Sequence, residues 1–175
     1  MINLVDAINQ LLDLITKPLE VWSWKRLAAA GDYTAEDVMS EVVTIGGTPF
    51  IFELASKSGY IEKAVALCST TALTPRLTLY LFNQYPTCEM DDNDPNTAPI
   101  VADRFSYQGK IDFPAMEDLG TGMSNTLAAP STYGNLPLPY YAPKKKLYGV
   151  LVTRDAITGQ AAGMTMTIGL QVRQD

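Results

Sequence analysis

Arg76-Leu77-Thr78-Leu79-Tyr80-Leu81 and Met164-Thr165-Met166-Thr167-Ile168 decide the fold class of this chain. In the first segment every second residue is leucine, so the leucines share one side of an extended strand. In the second the threonines take one side and Met and Ile the other. A strand turns successive side chains to opposite faces, so such alternation describes one buried and one wetted face. Sheets of that kind are mainly antiparallel. Working outward, runs rich in Val, Ile, Thr, Phe and Tyr are separated by Gly, Pro, Asn and Asp. They place strands at residues 37–45, 50–54, 60–68, 76–82, 104–113, 147–154 and 164–173. A shorter extended piece is expected at residues 136–141, where Pro137 and Pro139 confine it to a sheet edge. About eight strands with one helix outside them give a mainly β fold. The expectation is an antiparallel β-sandwich, jelly-roll-like, with an N-terminal amphipathic helix. Its core should include Leu77, Leu79, Leu81, Val150, Val152, Ile168 and Leu170.

The helix is read at residues 2–16. Leu4, Ile8, Leu11 and Ile15 recur at steps of four, three and four. Val5 and Leu12 widen the stripe, while Asp6, Asn9, Gln10 and Asp13 lie mostly off it. Asn3 can cap the start and Pro18 stops the helix. Trp22 and Trp24 follow directly. On this reading residues 1–32 are an N-terminal helix and arm, and residues 33–175 are the β-sandwich domain. Two loops, residues 84–102 and 115–135, are long, and loops of that length without structure of their own are often functional or partner-contacting. The apolar seam would be an aggregation hazard if left in water. It can be covered by its own sandwich, by sister helices or by another protein, and its near-heptad spacing favours sister helices. Leu4, Ile8, Leu11, Ile15, Trp22 and Trp24 are therefore the candidate residues of an oligomer or partner interface.

The 175 residues suit one domain that buries a large core, and 47% of them are hydrophobic against 18% charged. Thirteen basic and 19 acidic residues leave a formal charge of −6. The one basic run, Lys144-Lys145-Lys146 beside Pro143, reads as a solvated turn, and nucleic acid is not expected as a partner. Asp6 and Asp13 interrupt the apolar N-terminal stretch well short of the ~18 residues of a membrane span. That stretch also lacks the basic start of a signal peptide, so a soluble protein not secreted by that route is expected. Cys68 lies in an apolar run and reads as a small buried hydrophobe, and Cys88 follows Pro86 in a loop. Free thiols and assembly in a reducing cytosol are the expectation.

The chain contains no histidine, which removes the commonest general base and the commonest metal ligand. Asp32, Glu36, Glu53, Asp112, Glu117 and Asp118 are scattered and read as solvated or capping carboxylates. Asp91-Asp92-Asn93-Asp94 offers oxygen ligands that suit calcium, but it lacks the glycine and closing glutamate of an EF-hand. Such residues before a proline also make ordinary turns. No metal is expected to be needed for folding. Gly46-Gly47 and Gly120-Thr121-Gly122 read as turns, since neither has phosphate-loop spacing. Tyr133, Tyr140 and Tyr141 stand near prolines and could stack on sugars, fill an interface or pack against neighbouring strands. These readings amount to no catalytic centre and no cofactor.

One series of phrases goes further. Ser58-Gly59-Tyr60-Ile61, Leu79-Tyr80-Leu81-Phe82 and Asp91-Asp92-Asn93-Asp94 precede Gly109-Lys110-Ile111-Asp112-Phe113-Pro114. Leu147-Tyr148-Gly149-Val150-Leu151-Val152, Thr153-Arg154-Asp155-Ala156 and a final strand from Met166 to Val172 follow. In this order they resemble small β-sandwich proteins encoded among the virion genes of tailed bacteriophages, which serve as head decoration (cement) or related accessory proteins. The resemblance spans about residues 33–175. It implies a non-enzymatic structural protein on the virion head, assembled in the host cytoplasm, that binds and stabilises the shell. Its partners would be the major capsid protein and further copies of itself, a trimer being favoured by shell positions of threefold symmetry. The alternative is a carbohydrate-binding or host-recognition module of a virion fibre, using Tyr133, Tyr140 or Tyr141 and the loop at residues 91–94.

Overall fold

A computed structural model of the chain describes residues 3–8, 18–28, 32–70, 72–120, 122–130, 135–158 and 163–174. Ten strands are present among them. They are β1 (Leu19–Arg26), β2 (Phe50–Glu53), β3 (Ser58–Cys68), β4 (Leu77–Phe82) and β5 (Tyr107–Phe113), then β6 (Glu117–Asp118), β7 (Ser124–Ala128), β8 (Leu138–Tyr141), β9 (Lys146–Thr153) and β10 (Thr165–Gln174). They form two antiparallel sheets. The larger runs β1-β10-β3-β7-β6, with β8 paired to the start of β3. The smaller runs β2-β9-β4-β5. The mainly β, antiparallel sandwich expected from the alternation is the fold observed.

The core between the sheets follows from that alternation. From the larger sheet come Ile61, Ala64, Ala66 and Cys68 of β3 and Met166, Ile168, Leu170 and Val172 of β10. The smaller sheet answers with Phe50, Phe52, Leu77, Leu79, Leu81, Ile111, Phe113, Leu147 and Leu151. Ile61 and Ala64 are three apart, yet both point inward. The pairing of β3 with β10 shifts register between Gln171 and Val172, leaving Glu62 as an extra residue, and such a bulge lets the two share a face.

Strand β4 of the smaller sheet is buried on both sides. Thr78, Tyr80 and Phe82 lie on the outer face of β4, and all are buried. Val38, Cys88, Ala98, Val150 and Val152 pack with Tyr80 and Phe82 in a second apolar cluster. This corrects two expectations. The face of β4 opposite its leucines is not wetted, because residues 84–100 fold back over it. Val150 and Val152 are buried, but in this outer cluster, while Leu147 and Leu151 face the inter-sheet core. Apolar residues on both faces of β9 gave the sequence no phase to read.

Three boundaries also change. Residues 37–45 form no strand, only isolated bridges from Asp37 to Pro95 and from Val38 to Val152. The stretch 115–135, read as loop, contains β6 and β7. The arm assigned to residues 1–32 is not separate from the sandwich, because β1 pairs with β10 along its whole length, from Leu19 opposite Val172 to Arg26 opposite Thr165. Ahead of β1, residues 4–8 are helical, and the Asp6 N–H donates to Asn3 Oδ1 at 2.9 Å as an N-cap should. Leu11, Ile15 and the rest of the expected helix lie outside the described residues.

Candidate interaction surface

Strand β1 shows why the larger sheet has a usable outer face. Val21 and Lys25 turn inward, while Glu20, Trp22 and Trp24 turn outward and are exposed. An inward lysine at a sheet edge needs partners, and Lys25 has them. Its Nζ donates to Glu41 Oε2 at 2.5 Å and to Thr48 Oγ1 at 2.7 Å, and it stands 5.4 Å from the centre of the Phe50 ring. Burial pulls the Lys25 pKa below its ordinary value, against the raising effect of Glu41. Burial pushes the Glu41 carboxyl up, but hydrogen bonds from Lys25 and Thr48 outweigh it and hold the group below its usual value. The Ile51 N–H adds a bond to Ser23 Oγ at 3.0 Å, tying the edge of the smaller sheet to β1.

The register then lays the outward residues out in rows. Trp22 is opposite Gly169, Gly169 opposite Val65, and Val65 opposite Leu127. The next row is Trp24, Thr167, Leu67 and Asn125, and the row on the other side is Glu20, Gln171 and Lys63. Trp22 is 48% exposed, Trp24 67% and Leu127 45%, which makes this an apolar face open to solvent. Gly169 shapes it. A Cβ there would come within 2.5 Å of the Trp22 ring, so the indole lies across β10 on bare backbone. Beside the ring is a shallow cleft of about 250 Å³, lined by Trp22, Val65, Leu127 and Gly169 and rimmed by Glu20 and Lys63. Exposed aromatic and aliphatic area with one charge of each sign at its rim suits binding.

Of the residues singled out in the sequence, Trp22 and Trp24 stand together on this face. Leu4 and Ile8 are exposed on the helical turn before β1. Val65, Leu67 and Leu127 were missed. The strand read at residues 60–68 contained the first two, but Leu127 sits in the stretch read as loop. Tyr140 is buried and cannot stack on a sugar, Tyr141 is exposed, and Tyr133 lies outside the described residues.

The aspartates hold loops in place. Buried Asp92 accepts the Tyr33 hydroxyl at 2.8 Å and the Ser40 N–H at 2.6 Å. Asp91 Oδ1 accepts the N–H groups of Gly46 and Gly47 at 3.0 and 2.7 Å. Gly47 is required there, since a Cβ would meet the Met90 carbonyl oxygen at 1.9 Å. Glu89, Asp91 and Asp94 each bring a carboxylate oxygen within 4.8 Å of the others, the set among the described residues that could hold a cation. Glu89 thus replaces the inward-facing Asp92 in the acidic quartet of the sequence. Among the scattered carboxylates, Glu36 pairs with Arg154, Glu53 with Lys146 and Asp112 with Lys110. The Arg76 guanidinium and backbone N–H hold Asp155 down at about 2.

No helix among the described residues is long and apolar enough to cross a membrane. No protein-family model and no curated protein sequence matches the chain. Fold and surface together define a β-sandwich with an exposed aromatic face on its larger sheet.

Proposed function

We propose that the chain is a non-enzymatic virion structural protein of a tailed bacteriophage, a head decoration protein that binds and stabilises the capsid shell. The observation that carries this reading is the strand order. Sheet β1-β10-β3-β7 against sheet β2-β9-β4-β5 is what we read as a jelly roll, an architecture that recurs in viral capsid and lectin domains. Fold alone does not assign function. The resemblance of the sequence phrases supplies the phage context, and the aromatic face supplies a contact surface. The partners are the major capsid protein and other copies of this chain, and the place of action is the head surface. In this reading the apolar residues of the N-terminal segment, Leu4, Ile8, Leu11 and Ile15, meet the shell.

The test is binding to undecorated heads of the phage whose genome encodes the chain. The full chain should bind with saturable stoichiometry, and a variant lacking residues 1–17 should bind about 100-fold more weakly, a loss within the range of truncated interface anchors. Equal binding by both would remove the N-terminal segment from this role. One observation favours the glycan-binding alternative: Trp22 and Trp24 offer exposed rings on one face, in place of the buried Tyr140. Binding to a glycan array with no binding to heads would establish that alternative.

A further inference from the structure

We infer that the outer face of the larger sheet is a self-association surface, occupied by the same face of a second copy about a twofold axis running along β10. The inference rests on the register of the sheet and not on the virion reading.

An isologous interface needs a patch that is complementary to itself. Turning a second copy over about β10 leaves β10 facing β10 and lays β1 of each copy over β3 of the other. Row by row, Glu20 then meets Lys63 of the second copy and Trp24 meets its Leu67, while the Trp22 indole, which lies across Gly169, meets the Trp22 indole of the second copy at the axis. Opposite charges face each other twice, once on each side of the axis. Off the axis, the Trp24 ring meets a medium-sized aliphatic side chain. On the axis Gly169 brings no side chain of its own, which leaves that space to the Trp22 ring. Two sheets packed face to face in this way bury apolar rows much as a sandwich core does.

The charges give the strongest argument. Glu20 and Lys63 flank β10 on the same copy, so their Cα atoms stand about 10 Å apart, two strand spacings. Both are exposed. A shell protein or a sugar places no requirement on how these two charges are disposed about β10. A second copy does, and their arrangement meets it. Complementary charge across an interface sets register and excludes wrong partners.

The experiment is sedimentation equilibrium on the full chain over a concentration series, with thermal unfolding of each variant to confirm the fold. Wild type should approach twice the 19.1 kDa of the single chain. Glu20→Lys and Lys63→Glu alone should each raise the dissociation constant about tenfold or more, because like charges then meet on both sides of the axis. The double reversal Glu20→Lys/Lys63→Glu should restore association. Trp22→Ala/Trp24→Ala should abolish it while the sandwich stays folded. A single-chain mass up to about 1 mM overturns the inference. So does a three-copy mass, indifference to the single reversals, or failure of the double reversal to rescue.

Discussion

Asp92 ties its loop to the distant stretch 33–42 through one side chain and its own backbone. Its Oδ1 accepts from Tyr33 and Ser40, and its N–H donates to the Val42 carbonyl at 2.5 Å. Asp92→Ala would leave buried donors without an acceptor. Each costs about 1–3 kcal/mol when orphaned, so a loss of about 2–4 kcal/mol is expected in denaturant titration. A loss well below that range would mean that water replaces the carboxylate. Cys88 gives a second test at this scale. Burial pushes its thiol up to about 12, with the nearby Asp103 charge adding to the effect, and burial raises Cys68 as well. Both cysteines are free and buried. Since the thiolate is the reactive form, iodoacetamide at mildly alkaline pH should label neither thiol in the folded protein and both in guanidinium. The pH dependence has a definite sign. The unfolded Cys88 thiol ionises near 9.0, and the folded one holds its proton until about 12. Between those values the unfolded state binds fewer protons, so stability falls as pH rises. The contribution is complete below the lower value and is lost through the upper. Cys88→Ala should flatten this part of the stability profile, and an unchanged slope would assign it to other groups.

At the scale of elements, β1 decides where the chain tolerates truncation. Residues 3–8 make few contacts with the sandwich, as the exposure of Leu4, Val5 and Ile8 shows. Strand β1 is different, since it covers β10 over eight paired positions. Removing residues 1–8 should therefore leave a soluble protein with a melting temperature close to that of the full chain. Removing residues 1–26 should strip β10 of its neighbour and leave a long, unpaired edge, which is a template for aggregation. It would also leave Glu41 and Thr48 without Lys25. Loss of soluble protein is the expected outcome, read by sedimentation and by circular dichroism. A well-folded, monodisperse product from the longer deletion would mean that β1 is an accessory strand. The same strand carries Trp22 and Trp24, so the element that closes the sheet also furnishes its contact face.

At the scale of the whole molecule, the first strand lies beside the last, and the loop 84–100 adds a third layer over β9 and β4. How much of this was legible depended on whether a segment's partners were coded in its own pattern. Alternation in residues 76–82 and 164–173 revealed β4 and β10 directly, and the apolar, β-branched content of residues 60–68 revealed β3. Alternation failed for β1, where one inward position is Lys25, and for β7, where inward positions are Ser124 and Thr126. Those residues look solvent-facing in sequence. In the fold Ser124 Oγ donates to the Thr70 carbonyl at 2.9 Å and Thr126 Oγ1 to the Pro114 carbonyl at 2.8 Å. Buried polar side chains are tolerated only with such partners, and the partners come from elsewhere in the chain. The candidate surface was legible only in Trp22 and Trp24. Its remaining members, Val65, Leu67 and Leu127, come from strands far apart in sequence, and only register sets them in rows.

The sequence alone determined that this chain would be a mainly β, antiparallel sandwich, because period-two alternation is a local property and the hydrophobic effect acts on it wherever the strand ends up. It also determined the cap at Asn3 and the buried character of Cys68, both set by near neighbours. Tertiary structure alone decided which outward face stays open. The outer face of β4 and the outer face of β10 both begin as one side of an alternating strand. The first is covered by residues 84–100, held over it by Asp92 and its partners. The second has no such loop among the described residues, so its rows of Trp, Val and Leu remain at the surface. Coverage of a face is a contact between segments distant in sequence, and no local pattern encodes it.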